Sequence, residues 1–416
     1  MPFYRPRAVD HELTAMMRAI GGILIEGPKA CGKSETAKQV SRTIYEFDRD
    51  DVAREAVALS PESLFSGQPP ILFDEWQLEP SIWNLVRRQV DDRHSRGEFL
   101  LTGSARPRED VNRHSGAGCI GVLPMRPMSL FESGHSTGEV SFAAILNGER
   151  QTGLGTHLSY DALLHRIVVG GWPEIIDYDE ADARVWLRGY LDQIVETDMP
   201  LMGHRRNPRN LRRLFASLAR NVGQAAKLTE IANDVGGESG PIAHETITGY
   251  LDTLERLRLT ENSPAWRPHM RSKTPMRTAE VRYFVDPSLG PAALGIGTSE
   301  LRADHLATGF HFEALVIRDL RIFAQAHNGR VDSWRDKNGN EVDAIVSINE
   351  NQWAAFEVKL NPRHVDEAAA ALLRFAGNVD KGRHGEPAAL GVITSTGAGG
   401  LRPDGVHVIP IGCLGP

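Results

Sequence analysis

Residues Gly27 to Ser34 read Gly-Pro-Lys-Ala-Cys-Gly-Lys-Ser and fit the pattern G-x-x-x-x-G-K-[ST]. The two glycines let the backbone turn tightly and bring its N–H groups close to phosphate oxygens. Lys33 would place a positive charge on the β- and γ-phosphates, and Ser34 would offer a hydroxyl to Mg²⁺. The motif therefore predicts a site for ATP and Mg²⁺. The predicted nucleotide-binding residues are Gly27, Pro28, Lys29, Ala30, Cys31, Gly32, Lys33, Ser34 and Glu35.

The flanking sequence supports this interpretation. An apolar run at 22–25 precedes the loop and predicts a buried strand, and a helix is predicted from Lys33 to about Val40. The positive N-terminus of that helix would face the phosphates. Strand, loop and helix in this order favour nucleotide binding over a Gly-rich turn that exposes a lysine. Arg5 and Arg7 could approach the nucleotide, but solvated side chains are the favoured interpretation.

A second apolar run, at 71–73, ends in two acids, Asp74 and Glu75. We expect Asp74 to bind Mg²⁺ together with Ser34, and Glu75 to orient or deprotonate the attacking water. The alternative is a buried strand that ends in two exposed acids. The order of the two motifs along the chain favours catalysis by Glu75.

A third apolar stretch ends in Thr102-Gly103-Ser104. Thr102, with Ser104 as the second candidate, could sense the γ-phosphate. The alternative is a residue that caps the end of a strand. With a further strand predicted at 43–47, four strands alternate with helices, so the sequence predicts an α/β domain with a parallel sheet.

The composition is that of a soluble globular protein: 416 residues, 41% hydrophobic and 24% charged. No stretch approaches roughly 18 apolar residues and no secretory apolar segment is present at the N-terminus, so we expect a cytoplasmic protein without a membrane span. Three widely separated cysteines argue against a disulfide framework or a zinc site. The net charge of −7 means that any nucleic-acid surface must be a local patch.

Four stretches resemble the prokaryotic AAA-type ATPases that carry a C-terminal domain of unknown function. They are Gly27–Ser34, Ile71–Gln77, Phe99–Ala105 and Arg126–Glu132. The resemblance covers nearly the whole chain. The first two motifs are general to nucleotide hydrolases, whereas the Met-Arg-Pro-Met-Ser-Leu stretch at 125–130 is more specific to the family.

The resemblance implies a homo-oligomer, for which an AAA-type ring is one arrangement. In such assemblies an arginine of one subunit reaches the γ-phosphate bound by the next. Arg113 and Arg126 are the candidates, and Arg113 is preferred because it lies in a polar segment after the Thr-Gly-Ser strand. For either arginine, the alternative is a structural salt bridge.

The middle of the chain contains its most basic stretch and a helix-turn-helix pattern. The arginines could contact phosphates, or they could form a solvated helix face or a subunit contact. The second helix of the pattern would expose Glu245, Asp252 and Glu255, which favours a structural or protein-contact role over reading of the DNA major groove. The arginines are Arg205, Arg206, Arg209, Arg212, Arg213 and Arg220.

The C-terminal part contains a second constellation: Glu313 in a predicted helix, Asp343 in a hairpin around Asn338, and Glu357-Val358-Lys359 in the next strand. Side chains alternate along a strand, so Glu357 and Lys359 face the same side. Asp343 and Glu357 could hold one Mg²⁺, and Lys359 could help a water molecule to attack a phosphodiester. The pattern and the element order resemble the restriction-endonuclease-like fold of PD-(D/E)xK nucleases.

These observations predict an α/β protein with four parts. Residues 1–138 would form the AAA-type ATPase domain, 139–205 a helical lid or linker, 206–275 a winged-helix-like domain, and 276–416 a restriction-endonuclease-like domain.

Three functions are compatible with this organisation. The favoured one is an ATPase that couples hydrolysis to a nuclease-like module in contact with DNA or another partner. The second is an ATP-regulated, metal-dependent DNA nuclease in defence or DNA processing. The third is an ATP-gated switch that binds a protein and cuts nothing.

Overall fold

The structure, a computed structural model, describes residues 4–103, 115–151, 155, 157–201, 207–266, 280–336, 339–349 and 352–416. The chain divides into two compact units. The first contains the described residues up to Pro127 together with Thr253–Leu259, and the second contains Met128–Asp252 and Thr260–Pro416.

The first unit is built on a five-stranded parallel sheet in the order β2-β3-β4-β1-β5. The central strands β1, β3 and β4 are buried along their whole length, as expected for a parallel sheet covered on both faces. The parallel sheet is thus confirmed, with a fifth strand that the sequence pattern did not predict. The strands are β1 (Gly22–Glu26), β2 (Thr43–Glu46), β3 (Ile71–Asp74), β4 (Phe99–Gly103) and β5 (Ile120–Pro124).

The helix after the phosphate loop is shorter than predicted and ends at Lys38 instead of about Val40. The N–H groups of Gln39 and Val40 donate to carbonyls three residues back, and this tighter pattern ends the α-helix. The helices of this unit are α1 (Val9–Ala19), α2 (Lys33–Lys38), α3 (Asp51–Leu59) and α4 (Ser81–Arg93).

The second unit begins with mostly helical structure. Its α-helices before the second large sheet are α5 (Phe142–Leu146), α6 (Tyr160–Val169), α7 (Glu180–Gln193), α8 (Met199–Leu201), α9 (Pro208–Arg220), α10 (Leu228–Gly236), α11 (His244–Arg256), α12 (Leu289–Leu294), α13 (Thr298–Ala303) and α14 (His305–Ala326). The last four residues of α11 belong to the first unit. A short parallel pair is formed by β6 (Val140–Ser141) and β13 (Leu414–Gly415).

The C-terminal sheet of the second unit is mixed, in the order β11-β12-β10-β9-β8-β7. The pairs β7–β8, β8–β9 and β11–β12 are antiparallel, and β9–β10 and β10–β12 are parallel. The strands are β7 (Arg330–Arg335), β8 (Glu341–Asn349), β9 (Gln352–Lys359), β10 (Ala389–Thr394), β11 (Gly400–Leu401) and β12 (His407–Pro410). Two further helices, α15 (Val365–Asn378) and α16 (Lys381–His384), lie between β9 and β10 in the chain.

A buried charge network connects distant segments of the second unit. Arg318 on α14 pairs with Asp286 at 3.0 Å and with Asp319 at 2.7 Å. Asp319 accepts the N–H of Leu130, and Asp286 accepts the N–H of Gly171. The network therefore connects Leu130, the last residue of the Met-Arg-Pro-Met-Ser-Leu stretch, and the Gly-Gly-Trp-Pro turn to α14, which gives Leu130 and the turn a structural role.

Among the described residues, no helix is both long enough and apolar enough to cross a membrane.

Candidate functional site

The phosphate loop connects β1 to α2 and packs against the chain that follows β5. A Cβ atom on Gly27 would overlap the carbonyl oxygen of Met125, so only glycine fits there. Gly32 has φ 103°, in the left-handed region that favours glycine. Lys33 is buried, and its Nζ donates to the carbonyl of Pro28 at 2.8 Å. The buried lysine side chain thus folds back onto the backbone of its own loop.

Arg7 stabilises this loop from the N-terminal segment. Its guanidinium donates to the carbonyl of Cys31 at 3.0 Å and to the carbonyl of Arg126 at 2.7 Å. The favoured expectation of a solvated Arg7 is therefore wrong, because the side chain is buried and bonded to two backbone carbonyls. Tyr4 adds a contact between its hydroxyl and that of Thr36 on α2, at 3.0 Å.

Three side chains meet at the ends of β3, β4 and the loop. Asp74 Oδ1 accepts the hydroxyl of Ser34 at 2.7 Å and also the hydroxyl of Thr102. Asp74 and Thr102 are register partners in the sheet. Hydroxyl and carboxylate oxygens are ligands that Mg²⁺ prefers, so Ser34 and Asp74 fit this ion. Thr102 contacts the predicted metal-binding carboxylate, and Ser104 lies outside the described residues.

Glu75 sits beside this group in a left-handed conformation, with φ 54° and ψ 41°. Gln77 Nε2 donates to its carboxylate. Burial raises the pKa of Glu75 above that of an ordinary carboxyl group. A higher pKa makes the carboxylate a stronger base at neutral pH, which suits the predicted attack by water.

The structure does not distinguish between the two arginines that could reach a neighbouring subunit's nucleotide. Arg126 is half-buried, and its backbone carbonyl accepts Arg7. Arg113 lies outside the described residues. The assignment of an arginine that acts between subunits stays a prediction.

The arginines of α9 are partly engaged in ion pairs. Arg212 pairs with Asp192 and Glu196, and Arg220 pairs with Asp234. Arg213 donates to the last carbonyls of α10, and it lines a cavity of about 350 Å³ with Arg209 and Arg220. Arg205 and Arg206 lie outside the described residues.

The helix-turn-helix pattern corresponds to α10 and α11 with a turn at 237–240. Glu245, Asp252 and Glu255 are exposed on α11, as the sequence predicted. Isolated antiparallel bridges join Thr260 to Phe284 and Ser263 to Val281.

A second polar cluster lies at the C-terminal sheet. Lys359 Nζ lies 2.6 Å from Glu357 Oε2 and 3.9 Å from Asp343 Oδ2. Asp343 also accepts the N–H of Val358 at 2.7 Å. The sequence-predicted residues on β8 and β9 are therefore brought together.

Glu313 joins this cluster from α14. Its Oε1 accepts the hydroxyl of Tyr283 at 2.5 Å. Burial raises the pKa of Glu313 well above its usual range, and the charge of Asp343 raises it further. A cavity of about 360 Å³ opens beside Glu313 and Asp343, and Tyr283, Glu230 and Glu341 also line it.

The pKa values of the charged side chains in this cluster are raised. Burial and Asp343 raise the pKa of Glu357 to about 8. Burial also raises the pKa of Asp343. Burial alone would lower the pKa of Lys359, but Asp343 and Glu357 more than offset it, and the pKa is raised. The lysine therefore keeps its charge while the acids hold protons more tightly than usual.

The donor types of this cluster suit Mg²⁺, but its arrangement is not that of a bound ion. Within the described part of the chain, no three His, Cys, Asp or Glu side chains are grouped so that they could hold a metal. Glu313 bonds Tyr283, Asp343 bonds Val358, and Glu357 bonds Lys359. Each of these contacts engages one of the two oxygens of its carboxylate.

Three contacts of these sites had no signal in the sequence pattern. Arg7 reaches the loop from 24 residues away, and Tyr283 reaches Glu313 from 30 residues away. Gln77 is close to Glu75 in the chain, but only the left-handed turn at Glu75 brings its amide back to the carboxylate.

Three family models match parts of the chain. Residues 21–133 match a model described as an AAA domain. Residues 160–300 and 308–414 match two domains of unknown function, DUF8612 and DUF4143. The first match covers the phosphate loop and both acids at the end of β3. It supports ATP binding and an ATPase of the AAA type, and confirms that part of the resemblance.

The chain is similar to bacterial proteins described as uncharacterized. It is 23% identical over 380 residues to one from Mycobacterium tuberculosis and to one from Mycobacterium bovis, covering 85% of this chain and 78% of each relative. It is 30% identical over 126 residues to a protein of Haemophilus influenzae, covering 30% of this chain and 31% of that one.

Two solved structures are also similar. One is a Walker-type ATPase of Pyrococcus abyssi, with 11% identity and a TM-score of 0.43, covering 70% of this chain and 96% of that chain. The other is described as a DNA replication initiation factor, with 14% identity and a TM-score of 0.24, covering 59% of this chain and 85% of that chain.

Proposed function

We propose that the protein binds ATP with Mg²⁺ and hydrolyses it at the site formed by the loop 27–34, Asp74 and Glu75. The observation that carries the proposal is the convergence of Ser34 and Thr102 on Asp74. This group lies at the carboxyl ends of parallel strands, where ligands bind in open α/β sheets. The match of residues 21–133 to an AAA domain supports the same conclusion.

Each residue has a defined task in this reaction. Lys33 would exchange its bond to the Pro28 carbonyl for one to a phosphate oxygen. Its side chain is already buried before ATP binds, so binding does not have to bury the lysine charge. Mg²⁺, held by Ser34 and Asp74, would neutralise the charge that develops on the phosphates. Glu75 would orient the attacking water and accept its proton.

Substitution of Lys33 tests the proposal directly. We expect Lys33→Ala to abolish ATP turnover and to weaken ATP binding, because the loop loses its charge. Lys38→Ala on the same helix is the matched control, since Lys38 pairs with Glu35 and Glu46 at the surface. Turnover by Lys33→Ala at the wild-type rate would exclude this site.

We propose further that the ATPase works as a homo-oligomer in which Arg113, with Arg126 as the second candidate, completes the site of a neighbouring subunit. The support is the resemblance to AAA-type ATPases. Mixing provides the test: Arg113→Ala subunits and Lys33→Ala subunits, each inactive alone, should regain turnover together. Turnover that is undiminished in Arg113→Ala would rule out this arginine.

A second candidate function is metal-dependent cleavage of phosphodiesters, in DNA, by the C-terminal cluster. The observation that favours it is the meeting of Asp343, Glu357 and Lys359 on neighbouring strands, with Glu313 lining the same cavity as Asp343. The order of these elements resembles the restriction-endonuclease-like fold. ATP hydrolysis would then regulate this module or couple it to a partner.

The negative charge around this cavity determines whether a phosphodiester can bind there. The cavity beside Glu313 and Asp343 is lined by more acids than bases, so a phosphodiester would be repelled unless a cation binds first. Cleavage must therefore depend on a divalent metal. Lys359 would stabilise the developing negative charge.

Plasmid cleavage separates the candidates. Wild type, Lys359→Ala and the surface control Lys381→Ala are incubated with Mg²⁺ or Mn²⁺, with and without ATP. Cutting by wild type and Lys381→Ala, but not by Lys359→Ala, would establish a nuclease, and a difference in cutting with and without ATP would establish its regulation by ATP. Absence of cutting would leave an ATPase or an ATP-gated protein-binding switch, and a salt-dependent DNA-binding titration would then distinguish a DNA partner from a protein partner.

A further inference from the structure

Arg258 adopts a backbone conformation that arginine rarely takes. Its φ is 57°, one of few positive values at described non-glycine residues. Two of the others, Ala30 and Glu75, lie in the nucleotide site. The N–H of Arg258 donates to the carbonyl of Glu255, and that of Leu259 donates to the carbonyl of Leu254. This is the Schellman arrangement at the end of a helix, in which this position is normally glycine.

The side chain of Arg258 explains why glycine does not stand there. Its Nη2 lies 2.5 Å from Glu26 Oε2. Glu26 is the last residue of β1, its side chain is 7% exposed, and the next residue is Gly27 of the phosphate loop. Both partners belong to the first unit. A buried acid therefore stands at the base of the loop, paired with an arginine held in a strained turn.

The pair has an electrostatic consequence for the loop. Bound ATP brings several negative charges to residues 27–34, and a carboxylate at the base of the loop repels them. The Arg258 side chain is 41% exposed, but its guanidinium pairs with the buried Glu26 carboxylate and so offsets this charge. Removing the arginine would leave the loop less able to accept a triphosphate.

We propose that Arg258 is a positioning residue for ATP binding, which acts through Glu26 by offsetting the negative charge at the base of the phosphate loop. The inference rests on the ATP binding proposed above. The strained backbone of Arg258 supports a functional role, because a turn alone would favour glycine.

A double-mutant cycle tests this inference by measuring the binding of a fluorescent ATP analogue with Mg²⁺. We expect Arg258→Met to raise the dissociation constant about tenfold, because one positive charge beside Glu26 is lost. Glu26→Gln should bind at least as tightly as wild type. The double variant, Glu26→Gln with Arg258→Met, should recover wild-type affinity to within about threefold, because it lacks both charges.

Two further variants separate this role from a structural one. Arg258→Lys keeps the charge and should retain most of the affinity. Arg258→Gly relieves the turn but removes the charge, so it should melt at a higher temperature than Arg258→Met and bind ATP equally weakly. Arg54→Met, which breaks a surface pair with Glu79 in the same unit, is the control and should bind as wild type.

Three results would overturn the inference. They are wild-type affinity in Arg258→Met, wild-type affinity in Arg258→Gly, and a double variant that binds as weakly as Arg258→Met. Each leaves ATP binding by the wild type intact and so contradicts the role of Arg258 alone. Absence of binding by folded wild type would instead overturn the ATP proposal, and this inference with it.

Discussion

Asp74 and Glu75 are neighbours in the chain with different surroundings. Asp74 Oδ1 accepts two hydroxyl groups, which fix the orientation of its carboxylate. Glu75 turns away through its left-handed backbone and meets the Gln77 amide in a partly buried position. In the proposed reaction, Asp74 would bind Mg²⁺ and the more basic Glu75 would accept the proton.

The pH dependence of turnover follows from this arrangement. Because the pKa of Glu75 is raised, we expect kcat/KM to increase with pH as Glu75 loses its proton, with a midpoint above that of an ordinary carboxyl group. Donation by Gln77 lowers the pKa of Glu75, so Gln77→Leu should move the midpoint to higher pH. Profiles of both proteins check this, and a downward shift in Gln77→Leu would contradict the role of the amide.

The elements of the nucleotide site could be predicted because its chemistry is local. Glycines, a lysine and a serine at short spacing define the loop, and an apolar run before two acids defines β3. The loop lysine and the acids after β3 therefore lie where the sequence indicated. The end of α2 was predicted two residues too late, since helix ends depend on single hydrogen bonds.

Contacts between distant elements could not be predicted from one sequence. Arg318 looks like any helical arginine, but it is buried against Asp286 and Asp319. Leu130 is bonded to Asp319 from 189 residues away. The Met-Arg-Pro-Met-Ser-Leu stretch was recognisable as a motif, whereas the bond between its last residue, Leu130, and Asp319 on α14 required the structure.

The buried charge network should be essential to the second unit. We expect Arg318→Met to lower the free energy of unfolding by about 3–5 kcal/mol, because two buried carboxylates lose their partner. Arg302→Met removes an exposed pair with Asp161 and should cost about 0–1 kcal/mol. Urea denaturation followed by circular dichroism measures both. Equal stability of the two variants would mean that the network contributes little.

At the scale of the whole molecule, acid should destabilise the fold through buried histidines. His311 on α14 is 2% exposed, and burial lowers its pKa to about 4. Burial also lowers the pKa of His165 and His407. Above about pH 6.5, the pKa of histidine in the unfolded chain, such a histidine is neutral in both states and does not reduce the free energy of unfolding. As the pH falls from about 6.5 towards 4, only the unfolded chain binds the proton, so the free energy of unfolding decreases.

We expect His311 alone to account for about 3 kcal/mol of this loss between pH 6.5 and 4, since the unfolded chain binds the proton and the folded one does not. His311→Gln cannot take up this proton, so its melting temperature should fall less over the same pH range. Thermal melts at several pH values measure the difference. Parallel curves for both proteins would show that His311 does not titrate on unfolding.

Hydrolysis of ATP by wild type and Glu75→Gln, with ATP binding measured on the same samples, tests the central claim most directly. Glu79→Gln, four residues away, is the matched control. We expect all three proteins to bind ATP with similar affinity, and only Glu75→Gln to lose turnover, by about 100-fold or more. A wild type that binds but does not hydrolyse ATP, or a Glu75→Gln variant that turns over at the wild-type rate, would contradict the assignment of this site as an ATPase.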